Sequence, residues 1–223
     1  MTDRQKGVFA AWLEPLAMLA AATAGTAALA ASGGPAREWR WLAIPALWLA
    51  AAAAPRLWRK DAWQDIRLWT GRPAEAVWTG LWATAAMAVV AAAFVWAFFM
   101  LNREPPLRPA IAPGEWLAWS LYQFLYVAVS EETFFRGYFQ GRAEQALGAS
   151  GWARGACRWG GMFASAGAFG AAHVLAGGAW EGATVAVPGL FFGWLRVRTG
   201  GVAVPIFAHG AANVIYAALC ALA

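Results

Sequence analysis

The sequence predicts an all-α, polytopic membrane protein, and three observations predict it. Of its 223 residues, 61% are hydrophobic and 13% are charged, where a soluble domain is nearer half apolar and a quarter charged. The apolar residues fall into seven blocks, about 8–31, 41–54, 76–101, 116–139, 159–176, 182–195 and 202–222. A helix needs about 20 residues to cross roughly 30 Å of hydrocarbon, and most of the blocks approach or exceed that. The loops between the blocks alternate in basic charge.

The blocks are continuous and rich in Ala and Leu, which indicates helices rather than barrel strands. Arg4 and Lys6 precede the first block, which ends near Ala28-Leu29-Ala30 like a secretory signal. Its length exceeds a typical signal core, so it reads as a retained first span. The second and sixth blocks are short, and are tilted, re-entrant or bounded too tightly. No repeat and no separate soluble domain is visible. The chain divides into N-terminal transmembrane helices, 1–110, and a second half, 111–223, within one integral membrane domain.

Loop charge orients the chain. One set of ends and loops holds Arg4, Lys6, Arg56, Arg59, Lys60, Arg67, Arg72, Arg142, Arg154, Arg158, Arg196 and Arg198; the other holds Arg37, Arg40, Arg103 and Arg108. The positive-inside rule then puts the N-terminus in the cytoplasm and the C-terminus outside. The net charge of +5 belongs to this pattern. No basic stripe with interleaved aromatics tracks a phosphate backbone, so nucleic acid is not an expected partner. The bilayer is the expected one. Trp39, Trp41, Trp58, Trp116, Trp119, Trp152, Trp159 and Trp180 lie near block ends as interfacial anchors. Cys157 and Cys220 form no framework and read as small apolar fillers.

Ionisable residues inside spans are costly and mark function. The fourth block carries Glu131-Glu132-Thr133-Phe134-Phe135-Arg136-Gly137. Glu132 and Arg136 are spaced i,i+4 with the acid first, the favourable order for a helical ion pair. That pairing leaves Glu131, about 100° around an α-helix, to face a different cavity as a general base. The fifth block carries Phe169-Gly170-Ala171-Ala172-His173, and the seventh His209-Gly210-Ala211-Ala212-Asn213. His209 and Asn213 share a helix face. Glu, His, His and Asn supply what amide hydrolysis needs. A carboxylate and an imidazole take a proton from water and pass it to the leaving amine. An imidazole and an amide donate to the oxyanion. No serine or cysteine lies in a nucleophile pattern.

In this order, Glu131-Glu132-x-x-x-Arg136, Phe169-x-x-x-His173 and His209-x-x-x-Asn213 resemble the CPBP family, the CAAX-protease and bacteriocin-processing intramembrane proteases. That family includes the eukaryotic Ras-converting endopeptidase. Phe192-Gly193 to Thr199-Gly200 resembles its less specific third motif, and the resemblance spans about residues 116 to 215. It implies about eight helices around a membrane-embedded active-site cavity open to the cytoplasmic side, so the bundle is expected to have seven to eight. It also implies that Glu131 and His173 activate water and that His209 and Asn213 form the oxyanion hole. Glu132, Arg136 and Phe169 then support the site or position substrate. No cofactor is expected; the alternative is a zinc ion on Glu131, His173 and His209, although no HExxH pair is present.

Two other functions fit the composition: a non-catalytic scaffold or immunity protein of the same fold, or a small proton-coupled transporter. His209 and Asn213 together argue against the first, and the lack of an inverted repeat against the second. Few lysines among many Ala, Arg, Trp and Gly residues suggest a GC-rich bacterial genome and a multi-pass protein of the bacterial inner membrane. The expected substrate is a membrane-associated peptide or protein, cut near a C-terminal tail or anchor. His173 falls near the outer end of its block, farther out than Glu131 and His209.

Overall fold

The computed structural model describes residues 3–34, 36–59, 66–68, 73–102 and 111–222. Of the residues used to orient the chain, Lys60, Arg72, Arg103 and Arg108 lie outside this set. Each apolar block forms one helix: α1 Asp3–Ala31, α2 Ala36–Ala53, α3 Pro73–Asn102, α4 over 116–149, α5 Arg154–Gly177, α6 Ala179–Thr199 and α7 Ala203–Leu222. Among the described residues there is no strand. The short blocks are neither re-entrant nor broken. α2 has 18 residues and α6 has 21, about 27 and 32 Å at the helical rise.

By length and composition, Lys6–Ala31, Pro73–Asn102 and Ala203–Leu222 are apolar enough to cross a membrane. α4 carries Glu131, Glu132 and Arg136, and α5 carries His173, so both bring polar groups into the bundle. α3 shows what the outside of the bundle meets. Trp78, Val89, Val90 and Trp96 are 55–70% exposed along it. In water such a face is a large uncovered apolar patch; in a bilayer it is simply the lipid face.

α4 lies at the centre. On one side Trp48 of α2 and Phe169 of α5 join Phe134, Phe135, Tyr138 and Phe139 in a core cluster. A second cluster joins Ala83 of α3, Phe192 and Leu195 of α6, and Val204 and Ala208 of α7. α4 is not uniformly α-helical. Gln123–Ala128 and Thr133–Phe139 are π-helical, flanking an α turn at Val129–Glu132. Wide turns of this kind are rare and concentrate at functional sites. The Phe135 carbonyl, which accepts the Gln140 N–H within the second wide turn, also accepts from the Ser165 hydroxyl of α5 at 2.8 Å.

α5 returns antiparallel to α4 after the short connection at 150–153. Gly161 lies opposite Gln140, where a Cβ would be 3.0 Å from the Gln140 carbonyl oxygen. Ser165 lies opposite Phe135, which brings Phe169 near the level of Glu131 and His173 about one turn beyond it. His173 is thus farther out than Glu131, but by only about one turn, and the reason is the length of α4. It continues ten residues past the apolar block, to Ala149, and so returns the chain later. α5 ends at Gly177, and Gly178 turns the chain with φ 103°, a backbone that favours glycine.

Several residues of the larger basic set are held by carboxylates, whereas Arg40 of the smaller set donates to the Ala30 carbonyl at the α1–α2 turn. Arg59 and Arg142 both bond Glu14 of α1, at 2.9 and 3.1 Å, and Arg196 pairs with Glu144. The segment 66–68 is stitched to the α6–α7 turn, with Val202 N–H donating to the Arg67 carbonyl at 2.8 Å and Ala203 N–H to that of Leu68 at 3.1 Å. Cys157 and Cys220 are buried and are not joined in a disulfide.

Candidate active site

Glu132 and Arg136 form the predicted pair, Nη1 to Oε1 at 2.9 Å, and both side chains are fully buried. Arg136 does more than neutralise Glu132. Its Nη2 donates to the Gly189 carbonyl of α6 at 2.9 Å, and its guanidinium lies 4.5 Å from the Phe169 ring centroid and 5.4 Å from that of Phe192. A planar, five-donor cation suits this setting in a way a lysine does not. Gly189 permits the approach, since a Cβ there would sit 3.1 Å from Phe169 and 3.2 Å from Arg136.

His209 overturns the expectation that Glu131 faces a different cavity. Its Nδ1 lies 2.8 Å from Glu132 Oε1 and its Nε2 lies 3.8 Å from Glu131 Oε2. One imidazole therefore spans both carboxylates, because its two nitrogens point in different directions. The ring is held by Phe192, stacked at 4.9 Å and 14°, and by the edge of Phe169 at 6.0 Å. Since a carboxylate only accepts, Nδ1 carries a proton toward Glu132. Nε2 then donates to anything else only when both ring nitrogens are protonated.

The remaining residues ring this centre. His173 Nδ1 lies 2.9 Å from the Phe169 carbonyl, one helical turn back. With Nδ1–H donated there, the lone pair of a neutral ring sits on Nε2. The rings of Phe169 and His173 touch at 4.4 Å. Phe169 thus lies between His173, His209 and Arg136. His173 has no hydrogen bond to Glu131. Asn213, one turn beyond His209, donates from Nδ2 to Gln123 Oε1 at 2.9 Å, which leaves its second amide hydrogen for another acceptor.

Gly210 packs α7 against α4, and a Cβ there would meet the Phe124 ring at 2.4–2.8 Å. Gly210→Ala is therefore expected to displace Phe124 and the adjoining Gln123–Asn213 bond. Overpacking of this kind costs about 1–3 kcal/mol, which a thermal melt in detergent would register as a lower Tm.

Below Glu132 the polar residues continue at every fourth position of α4. Gln140 Nε2 bonds the Gly193 carbonyl at 3.3 Å and Glu144 at 3.5 Å, and Glu144 in turn holds Arg196. The result is a buried ladder, Glu132–Arg136–Gln140–Glu144, laid along α6. Glu132 Oε2, Arg136 Nε and Gln140 Oε1 have no protein partner along it. Glu144 lies past the apolar run. Burial raises its carboxyl above the ordinary value, against the lowering pull of Arg196.

Sequence reasoning missed several of these residues. Gln123 sits in the first wide turn with nothing in its spacing to mark it. Phe192 was noted only within a weak motif. Glu14 was visible as a carboxylate inside the first block; it holds Trp58, Arg59, Tyr138 and Arg142, tying α1 and the end of α2 to α4. Among the described residues no three His, Cys, Asp or Glu side chains are grouped as a metal ion would need.

The family model described as type II CAAX prenyl endopeptidase Rce1-like matches residues 113–215. That stretch runs from just before α4 through most of α7 and is similar to the intramembrane CAAX-type endopeptidases of this family. No curated protein and no solved structure matches the chain.

Proposed function

We propose that the protein is an intramembrane endopeptidase that hydrolyses a peptide bond with water activated by Glu131 and His173. One observation carries the assignment of roles. Glu132 is fully buried and bound to Arg136 and His209, whereas the Glu131 side chain is 17% exposed and has no hydrogen bond. The buried carboxylate is structural; the other is available to water.

In this reading Glu131 takes a proton from water as the hydroxide oxygen bonds to the scissile carbonyl carbon. The second Nδ2–H of Asn213 and Nε2–H of doubly protonated His209 donate to the oxyanion. The proton then passes from Glu131, through Nε2 of His173, to the amine nitrogen as the C–N bond breaks. No metal step is invoked. The substrate is a membrane-associated peptide or protein cut near a C-terminal tail or anchor, in a bacterial inner membrane with the chain's N-terminus in the cytoplasm.

The test is to compare peptide termini in membranes of cells carrying the wild type or Glu131→Gln. Termini that depend on the wild type and lie beside a membrane anchor or a C-terminus support the proposal and define the substrate class. Matched termini, with the variant still losing the wild-type phenotype, would replace it with a proton-relay function.

The oxyanion assignment has its own test. Asn213→Ala is expected to lower kcat by about 10²–10³-fold. Gln123→Ala, which removes only the bond that orients Asn213, is expected to lower it by about five-fold, the worth of one hydrogen bond. The double variant should be no slower than Asn213→Ala; additive losses would show that Gln123 acts elsewhere.

A further inference from the structure

We propose that the basic end of the bundle carries a binding site for an anionic phospholipid, with its phosphate in an arginine-lined cavity and an acyl chain in the apolar groove beside it. The cavity has a volume of about 790 Å³ and is lined by Arg67, Arg154, Arg158, Arg196, Trp152 and a single carboxylate, Glu144. Glu144 is committed to Arg196, so the cavity keeps a strong positive excess. Among the described residues Arg154 and Arg158 have no ion-pair partner. Guanidinium forks match phosphate oxygens. Arg154 and Arg158 also occupy the first turns of α5, whose N-cap, Ala153, offers no side-chain oxygen to the free backbone N–H groups. The positive end of that helix adds to the field of the arginines.

A second cavity says which phosphate. A groove of about 510 Å³ lies alongside, lined by Trp12, Leu147, Trp152, Trp159 and Phe163, with Ala156, Gly160 and Ala164 also on its wall. The two share Trp152. From there the groove follows α5 for about two turns, from Ala156 to Ala164, between α1 and the end of α4. Trp152, Trp159 and Phe163 are 52, 49 and 59% exposed, as residues facing lipid are. A free phosphate or a soluble acidic ligand uses the arginines and has no use for the groove. A phospholipid uses both: its headgroup meets the basic end, and its chain runs toward the middle of the bilayer. The site lies apart from Glu131 and His209, so it is read by binding alone, whatever the outcome for proteolysis.

The experiment is native mass spectrometry of the full chain released from nanodiscs of phosphatidylcholine with and without phosphatidylglycerol. The wild type is expected to retain phosphatidylglycerol in preference to phosphatidylcholine. Arg154→Gln/Arg158→Gln is expected to weaken that retention by about thirty-fold, or about 2 kcal/mol for two arginines. Arg198→Gln, which alters a cation paired with Glu75 outside the cavity, should retain lipid as the wild type does. No preference in the wild type overturns the proposal without recourse to any variant. So does equal retention by the double variant. Displacement of the phosphatidylglycerol by inorganic phosphate, or by an acidic peptide, at comparable concentration would show an anion site without a lipid and also overturn it.

Discussion

Glu131→Gln is expected to reduce kcat by about 10²–10⁴-fold while leaving the melting temperature of the detergent-solubilised protein close to that of the wild type. The size follows from the role, since a positioned general base contributes about 10²–10⁴-fold. The amide keeps the shape of the carboxylate and loses only its capacity to take a proton. The small structural cost follows from the surroundings. The nearest partner of Glu131 is His209 Nε2 at 3.8 Å, beyond hydrogen-bond reach, and no other helix is held through it. Glu132→Gln supplies the contrast, because it weakens a buried ion pair and the anchor of His209 together, and its melting temperature should fall. If Glu131→Gln turned over peptide at a normal rate, or if Glu132→Gln were the variant that failed only in catalysis, the two carboxylates would have to exchange roles.

Arg136→Met should be the most destabilising single change in the α4 core. The side chain is fully buried and is held by Glu132, the Gly189 carbonyl and the Phe169 and Phe192 rings. Removing it leaves Glu132 buried with His209 as its only partner. Breaking a buried pair in this way costs about 3–5 kcal/mol, which for a chain of this length is a drop of roughly 10 °C in Tm. Arg136→Lys should not rescue it, since one ammonium cannot reach Glu132 and Gly189 while lying over two rings. Glu132→Gln/Arg136→Met should recover part of the loss, because the stranded charge is gone. A double variant no more stable than Arg136→Met would show that the packing of the guanidinium, rather than its charge, is what α4 needs.

The parts of this architecture that were legible in the sequence are those written locally. Apolar runs show themselves by length, so seven blocks became seven helices. An ionisable residue within such a run is conspicuous, so Glu131, Glu132, Arg136, His173, His209 and Asn213 could be named, as could the i,i+4 pair. Other features depend on geometry between helices. Gln140 and Glu144 are polar, so the fourth apolar run stops at 139 while the helix, supported by α6, goes on to Ala149. That hidden length is why His173 lies only about one turn beyond Glu131. The two π-helical turns have no composition of their own, and an ideal α-helix would send Glu131 and Glu132 to separate places. Instead, a histidine 77 residues away in sequence from Glu132 fills the space between them. Gln123 and Glu14 were overlooked for a related reason: their partners lie on other helices, and nothing beside them in the chain reports it.

The ladder along α4 also bears on how the chain enters the membrane. On insertion scales a charged residue at mid-bilayer costs about 2.5–3.5 kcal/mol, so α4 alone, with Glu131, Glu132 and Arg136, is a poor candidate to leave the translocon for lipid. Its compensating partners are the Gly189 and Gly193 carbonyls of α6 and the ring of His209 on α7, all of which the ribosome makes later. α1 and α2, made earlier, contribute Glu14 and Trp48. The fourth helix must therefore be sheltered during synthesis until the last one arrives, and a nascent chain that stops short of residue 209 leaves Glu132 without one of its two partners. The residues that make the bundle useful are also those that delay its completion.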